Sequence, residues 1–157
     1  MKPVVWKIIA TVMVVSAGAL YLVFFQSDNT SQTSGTVWVE IADSDGTVVF
    51  EGDLPFEEGD TFFDVLDRRF DMTCATADYK PDTSCDVITF FGIGYTGRVV
   101  LGIRDVTFDI MTDWQTSFLA FLVHDGHGFV LATNGVSQIP FSDNDRIRIE
   151  KRDPEGR

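Results

Sequence analysis

Two histidines, two cysteines and scattered aspartate pairs hold most of the reactive side chains in this 157-residue chain. His124 and His127 flank Asp125-Gly126, so two imidazoles and a carboxylate, all metal-ligand types, sit at one spot. Asp-Gly is also the expected tip of a tight hairpin, and turn chemistry is the preferred reading, with a metal site as its rival. Cys74 and Cys85 share a polar loop, where a disulfide is expected and free thiols or ligand use are the alternatives. Closing a loop of that size contributes about 3 kcal/mol by chain entropy. Asp43-Ser44-Asp45-Gly46 and Asp143-Asn144-Asp145 are rich in oxygen ligands, yet neither continues to the distal Glu of a calcium loop. Asx-type turns account for both. No Gly-x-Ser-x-Gly elbow, Gly-Lys-Ser/Thr cradle or zincin helix occurs, so the expectation is a protein that is not an enzyme. Tyr95 and Trp114 pair an apolar body with a polar handle, which makes them, with His124 and His127, the candidate ligand or partner contacts. The competing reading is that such aromatics fill the core.

These residues must be placed by the elements around them. Val37, Val39 and Ile41 alternate with Trp38 and Glu40, the period of a strand, and 47–54 resumes as its hairpin partner after the 43–46 turn. Pro55 and the polar 57–60 stretch are expected to end that hairpin. Thr61 with Asp64 three residues on signals a helix start. Phe62, Phe63, Val65, Leu66 and Phe70 would share one helical face, with Asp67-Arg68-Arg69 on the other and the arginines at the C-terminal end. Residues 72–86 read as irregular. Beyond them 87–91, 98–103, 106–110, 118–123, 129–131 and 146–149 are β-rich runs punctuated by glycine. A hairpin, a helix and further strands suit an α+β domain with a single sheet packed on one helix.

The N-terminus differs in kind. Residues 8–25 are uncharged and apolar, about 27 Å as a helix at ~1.5 Å per residue, which matches the roughly 30 Å hydrocarbon core of a bilayer. Lys2 and Lys7 both precede the run, so the positive-inside rule predicts a cytoplasmic N-terminus and an outer C-terminal domain. Ala17-Gly18-Ala19 offers a cleavage site, but the apolar run continues past it, and an uncleaved single-pass anchor in the cell membrane is expected. The domain plan is therefore a signal anchor at 1–26, a flexible tether at 27–35, an extracytoplasmic domain at 36–152 and a tail at 153–157. Asn29-Thr30-Ser31 in the tether matches a glycosylation sequon, with a chance match in a Ser/Thr-rich linker preferred.

Composition narrows the partners. Twenty-four acidic against 12 basic residues give a net charge of -12, and no basic run could release counterions from a polyphosphate, so nucleic acid is excluded. With 45% hydrophobic residues and 14 Phe, the acidity belongs to a folded domain. Every acid lies after the anchor, at or beyond Asp28, so the negative excess faces outward.

The stretch VWVEIADSDGTVVFEGDLPFEEGDTFFDVLDRRF, with its Gly59-Asp60-Thr61 turn and following helix, resembles the first half of transcobalamin C-terminal-like domains. The 118–149 segment, an aromatic strand, a turn, Gly135-Val136-Ser137 with Ile139 and a closing Ile147-x-Ile149 strand, is similar to that family's last hairpin. This sequence departs from the pattern at His124-Asp125-Gly126 and at Asn144, and residues 72–86 have no counterpart in it. The resemblance spans most of 36–151. It implies a β-grasp-like mixed sheet packed on one helix, and cobalamin as a candidate ligand, although no helical partner domain is present. The expected function is a membrane-anchored binding module, with an accessory subunit of a membrane or envelope complex as the alternative.

Overall fold

A computed structural model describes residues 33–90, 95–113 and 115–153. The expected anchor at 8–25, the sequon at Asn29 and the Trp114 contact lie outside those residues. Among the described residues no helix is long and apolar enough to cross a membrane.

The alternating pattern at the start of the domain becomes β1 (Gly35–Ala42), with Val37, Val39 and Ile41 fully buried. β1 turns through Asp43–Gly46 into antiparallel β2 (Val48–Phe56). Pro55 does not end this strand, because β2 is the edge of its sheet and an edge strand tolerates a missing N–H. Helix α1 (Phe62–Asp67) begins with the predicted capping box. The Asp64 N–H donates to Thr61 Oγ1 and the Thr61 N–H donates to Asp64 Oδ2.

The helix is shorter than expected. Arg68 caps it and Arg69 lies beyond, so no basic residue occupies its last turn. Each arginine instead finds a carboxylate, Asp60 for Arg68 and Asp105 for Arg69, and Phe70 is buried after the helix has ended.

The largest departure falls in 72–86, read from its polarity as irregular. Asp71–Ala75 forms β3, with Met72 and Cys74 buried and Asp71 exposed, and Pro81–Asp82 forms the short β4. Next come β5 (Ile88–Phe90), β6 (Tyr95–Gly97), β7 (Val100–Arg104), β8 (Asp109–Met111), β9 (Phe118–His124), β10 (Phe129–Leu131) and β11 (Arg146–Arg152). A 3-10 turn, Val136–Gln138, precedes β11. The run expected at 106–110 begins later, because Asp105 takes the Val106 N–H and the chain turns there, leaving Val106 solvent-exposed.

Among the described residues the strands form three sheets and not the expected single one. A five-stranded sheet runs β10-β9-β11-β1-β2, a four-stranded sheet β4-β3-β7-β8, and β5 pairs with β6 alone. In the first, β1 and β11 are parallel and the flanking pairs antiparallel. The domain is thus α+β, mostly strand, with one small helix. One hydrophobic cluster draws on β1, β2, α1, β3, β7, β8, β9 and β11, so both larger sheets and the helix close on a common core. Phe62, Phe121 and Phe141 meet edge to face within it.

The connection into β9 is organised by one carboxylate. Asp113 Oδ1 accepts the N–H groups of Gln115, Thr116 and Ser117, and Oδ2 accepts the Thr116 hydroxyl. Those donors, the Thr116 hydroxyl foremost, lower its pKa from 3.8 to about 2. Because the folded value is depressed, the stabilisation is complete above the unfolded value and is lost as pH falls through about 2. The amide shifts of Thr116 and Ser117 are expected to hold down to about pH 3 and then move. An Asp113→Asn chain, which does not titrate there, should show no such step.

Candidate functional site

β6, β7, β9 and the β10–β11 connection enclose a surface pocket of about 370 Å³. Phe118, Leu119, Phe121, Leu131 and Ala132 supply an apolar wall, and Tyr95, Arg98 and Asn134 the polar groups. Such a mixture, mostly apolar with few polar groups, is the usual make-up of a small-molecule site.

Tyr95 opens β6 and is half-buried. Its ring packs against a second small cluster of Ala75, Val99 and Leu101. Its hydroxyl donates to the Arg98 carbonyl at 3.3 Å. Burial raises the phenol pKa, while the nearby Arg98 charge pulls the other way. Two glycines make room for this ring: a Cβ at Gly97 or at Gly135 would run into the phenol. Gly135 belongs to a loop closed by its own hydrogen bonds, from Gln138 N–H to the Gly135 carbonyl at 2.7 Å and from Asn134 Nδ2 to the Gln138 carbonyl at 3.1 Å.

Gly135→Ala is therefore expected to destabilise the domain by about 1–3 kcal/mol through overpacking. The cost should be largely relieved in the Gly135→Ala/Tyr95→Ala double variant. Thermal unfolding of the two single variants and the double one measures that coupling, and strict additivity would refute the contact.

Arg98 is the pocket's cation. Its Nε donates to the Cys85 carbonyl at 2.8 Å, its Nη1 to Ser137 Oγ at 3.3 Å, and its guanidinium lies 4.5 Å from the centre of the Phe63 ring. The anchor residue Cys85 is itself held by the Cys74–Cys85 disulfide, whose Cα atoms are 5.0 Å apart. Cys85 also adopts a left-handed backbone, φ +50°, which is costly for a residue with a Cβ and is maintained by its surroundings. The disulfide, expected from the sequence, thus fastens one wall of the pocket to β3.

The other sequence candidates lie elsewhere. His124 and His127 sit at the β9–β10 hairpin tip with Gly126 at φ +94°. His124 Nδ1 accepts the Gly126 N–H at 3.1 Å and its ring meets Phe129 edge-on at 5.2 Å. Asp125 Oδ1 accepts the N–H groups of His127 and Gly128. These are the contacts of a turn, and the structure does not bring the histidines to Tyr95 or the cysteines. Among the described residues no group of three or more His, Cys, Asp or Glu side chains is placed to hold a metal ion. Sequence reasoning passed over Arg98, whose signal was its type: a lone cation between Gly97 and Val99-Val100 in an acidic chain.

The fold and site together define a disulfide-stapled α+β domain, mostly strand, with an apolar pocket and one cation at its edge. No family model matches the chain, and no curated protein matches it.

Proposed function

We propose that this protein is a membrane-anchored extracytoplasmic binding module of β-grasp type, which holds a small, mainly apolar ligand in the Tyr95 pocket and does not act as an enzyme. The observation that carries this reading is the pocket itself, about 370 Å³ with Phe118, Phe121 and Leu131 in its wall. That volume lies at the low end of the roughly 300–1,000 Å³ of small-molecule sites. It favours a ligand far smaller than a corrinoid, so cobalamin, the candidate from the family resemblance, is the less fitting occupant. The parallel pairing of the first and last strands at the centre of the five-stranded sheet supports the β-grasp assignment. The disulfide supports an oxidising compartment, and the apolar 8–25 run with Lys2 and Lys7 before it supports the anchor and its orientation.

A neutral, photoactivatable apolar probe offered to the full chain in lipid nanodiscs should label peptides from β9 through the 3-10 turn. Leu131→Asp, at an exposed position of the wall, should suppress that labelling. Labelling spread evenly along the chain, or unchanged in the variant, would overturn the reading.

A second reading, an accessory subunit of an envelope complex, draws on the other face of the five-stranded sheet. There Arg146 stacks on Trp38 at 4.3 Å and Arg148 on Phe129 at 4.6 Å, beside edge strand β10. A stable partner co-purifying in mild detergent, and lost on Trp38→Ala, would favour it.

A further inference from the structure

We propose that the Tyr95 pocket selects a free, short-chain aliphatic carboxylate, with Arg98 receiving its head and the β9 wall its tail. This rests on the reading of the pocket as a ligand site and adds the chemistry of the ligand. Five arginines of the described domain, Arg68, Arg69, Arg104, Arg148 and Arg152, each pair with a carboxylate of the chain. Arg98 does not. Its partners are a carbonyl, a hydroxyl and an aromatic ring, all neutral. Lys80, Arg146 and Lys151 also have no ion-pair partner among the described residues, but none of them lines this pocket.

In a chain with twice as many acids as bases, an unneutralised, partly buried guanidinium is conspicuous. Among the described residues no carboxylate pairs with it, and its sequence neighbours Gly97, Val99 and Val100 carry no charge. Partial burial strengthens the field such a cation projects into a low-dielectric pocket. Its side chain is also pre-set. Nε is committed to Cys85, Nη1 to Ser137, and the plane rests on Phe63, so little rotamer freedom remains to be lost on binding. Among the described residues Nη2 donates to no acceptor, and since Arg98 lines the pocket that group is left for a carboxylate oxygen.

The polar groups gather at one side. The Tyr95 hydroxyl touches Gly135 and the Arg98 main chain, and Ser137 joins Arg98 to the 3-10 turn. Phe118, Leu119, Phe121, Leu131 and Ala132 line the remainder. A ligand matching this division carries one anionic head and an apolar body. The volume of about 370 Å³ suits a chain of the octanoate class and not a two-chain lipid.

The test uses the full chain in nanodiscs, with empty nanodiscs as control, and octanoate, octanol and octyl-trimethylammonium probes that each bear a terminal diazirine. At equal free concentration the octanoate probe is expected to label the β9-to-3-10 peptides about tenfold more than the alcohol, the gain from one charge-assisted hydrogen-bond pair. The ammonium probe should label least. Arg98→Gln should bring the octanoate-to-octanol ratio to about one, and Arg98→Lys, which keeps the charge but not the fork, should retain part of the preference. The probe comparison on the unmodified chain keeps the proposal falsifiable if either variant fails to fold. Equal labelling by octanoate and octanol, or preference for the ammonium, overturns carboxylate selection while leaving a pocket that binds apolar ligands. Labelling of these peptides by none of the three probes overturns the pocket reading, and this proposal with it.

Discussion

Replacing Phe62 by alanine is expected to lower the unfolding free energy by about 3–5 kcal/mol, the usual cost of emptying a large aromatic site in a packed core. Phe62 is fully buried at the first position of α1, and its ring meets Phe141 at 5.7 Å and Phe121 at 6.4 Å. Phe141 in turn packs edge to face on Phe56 at 4.9 Å. One side chain therefore joins the helix to β9, to the segment before β11 and, through Phe141, to β2. The helix has only six residues and could not persist unsupported, since isolated helices shorter than ~12 residues are marginal in water. Its stability comes from the face it buries. Total stabilities of about 5–15 kcal/mol mean that the loss removes a large share of the whole. Denaturant unfolding of the Phe62→Ala and Phe62→Leu chains measures it. Leucine should recover most of the difference, and an alanine cost below about 1 kcal/mol would contradict the packing.

Breaking the Cys74–Cys85 bond is the second large effect. By chain entropy, opening this loop costs about 3 kcal/mol, and the structure adds a local consequence. Cys74 lies in β3, buried and paired across to Asp82, whereas Cys85 sits in a left-handed backbone and presents its carbonyl to Arg98. Reduction frees Cys85 to leave that conformation, and the guanidinium then loses its shortest hydrogen bond. Unfolding with and without reductant should differ by about 3 kcal/mol, and the native chain should resist thiol labelling until reduced. Full labelling without reductant would contradict the bond. In the Cys74→Ser/Cys85→Ser chain the preference for octanoate over octanol should fall toward that of Arg98→Gln, because the cation is no longer oriented.

Parts of this were legible in the residues themselves. The alternation of Val37, Val39 and Ile41 predicted β1, and Thr61 with Asp64 predicted the helix start, because strand period and capping geometry are local. The left-handed Asn144 and the His124–His127 turn follow from the same kind of information. Local signals misled where a distant neighbour supplied the stabilisation. The start of 72–86 reads as irregular because the stretch is polar, yet pairing of Asp71, Met72 and Thr73 with Arg104, Ile103 and Gly102 of β7 makes it part of a strand. Pro55 appeared to end β2 because its place on a sheet edge depends on which strands pair with β1. Arg68 and Arg69 appeared to complement a helix dipole, but the helix stops first and each side chain is drawn to an aspartate in another segment.

By itself the sequence determined an acidic, Phe-rich domain opening with a hairpin and a capped helix, and a pair of cysteines close enough along the chain to bridge. Each of those properties is set by composition or by residues within one turn or one strand of each other. Only the tertiary structure decided that the later strands divide among three sheets, that the histidines serve a hairpin tip, and that Tyr95, Arg98, Phe118 and Gly135 share one pocket. Those residues come from separate strands and a loop, and nothing in their spacing encodes the contact. Burial, which leaves Arg98 partly out of water with no ion-pair partner among the described residues, is a property of the packed chain alone.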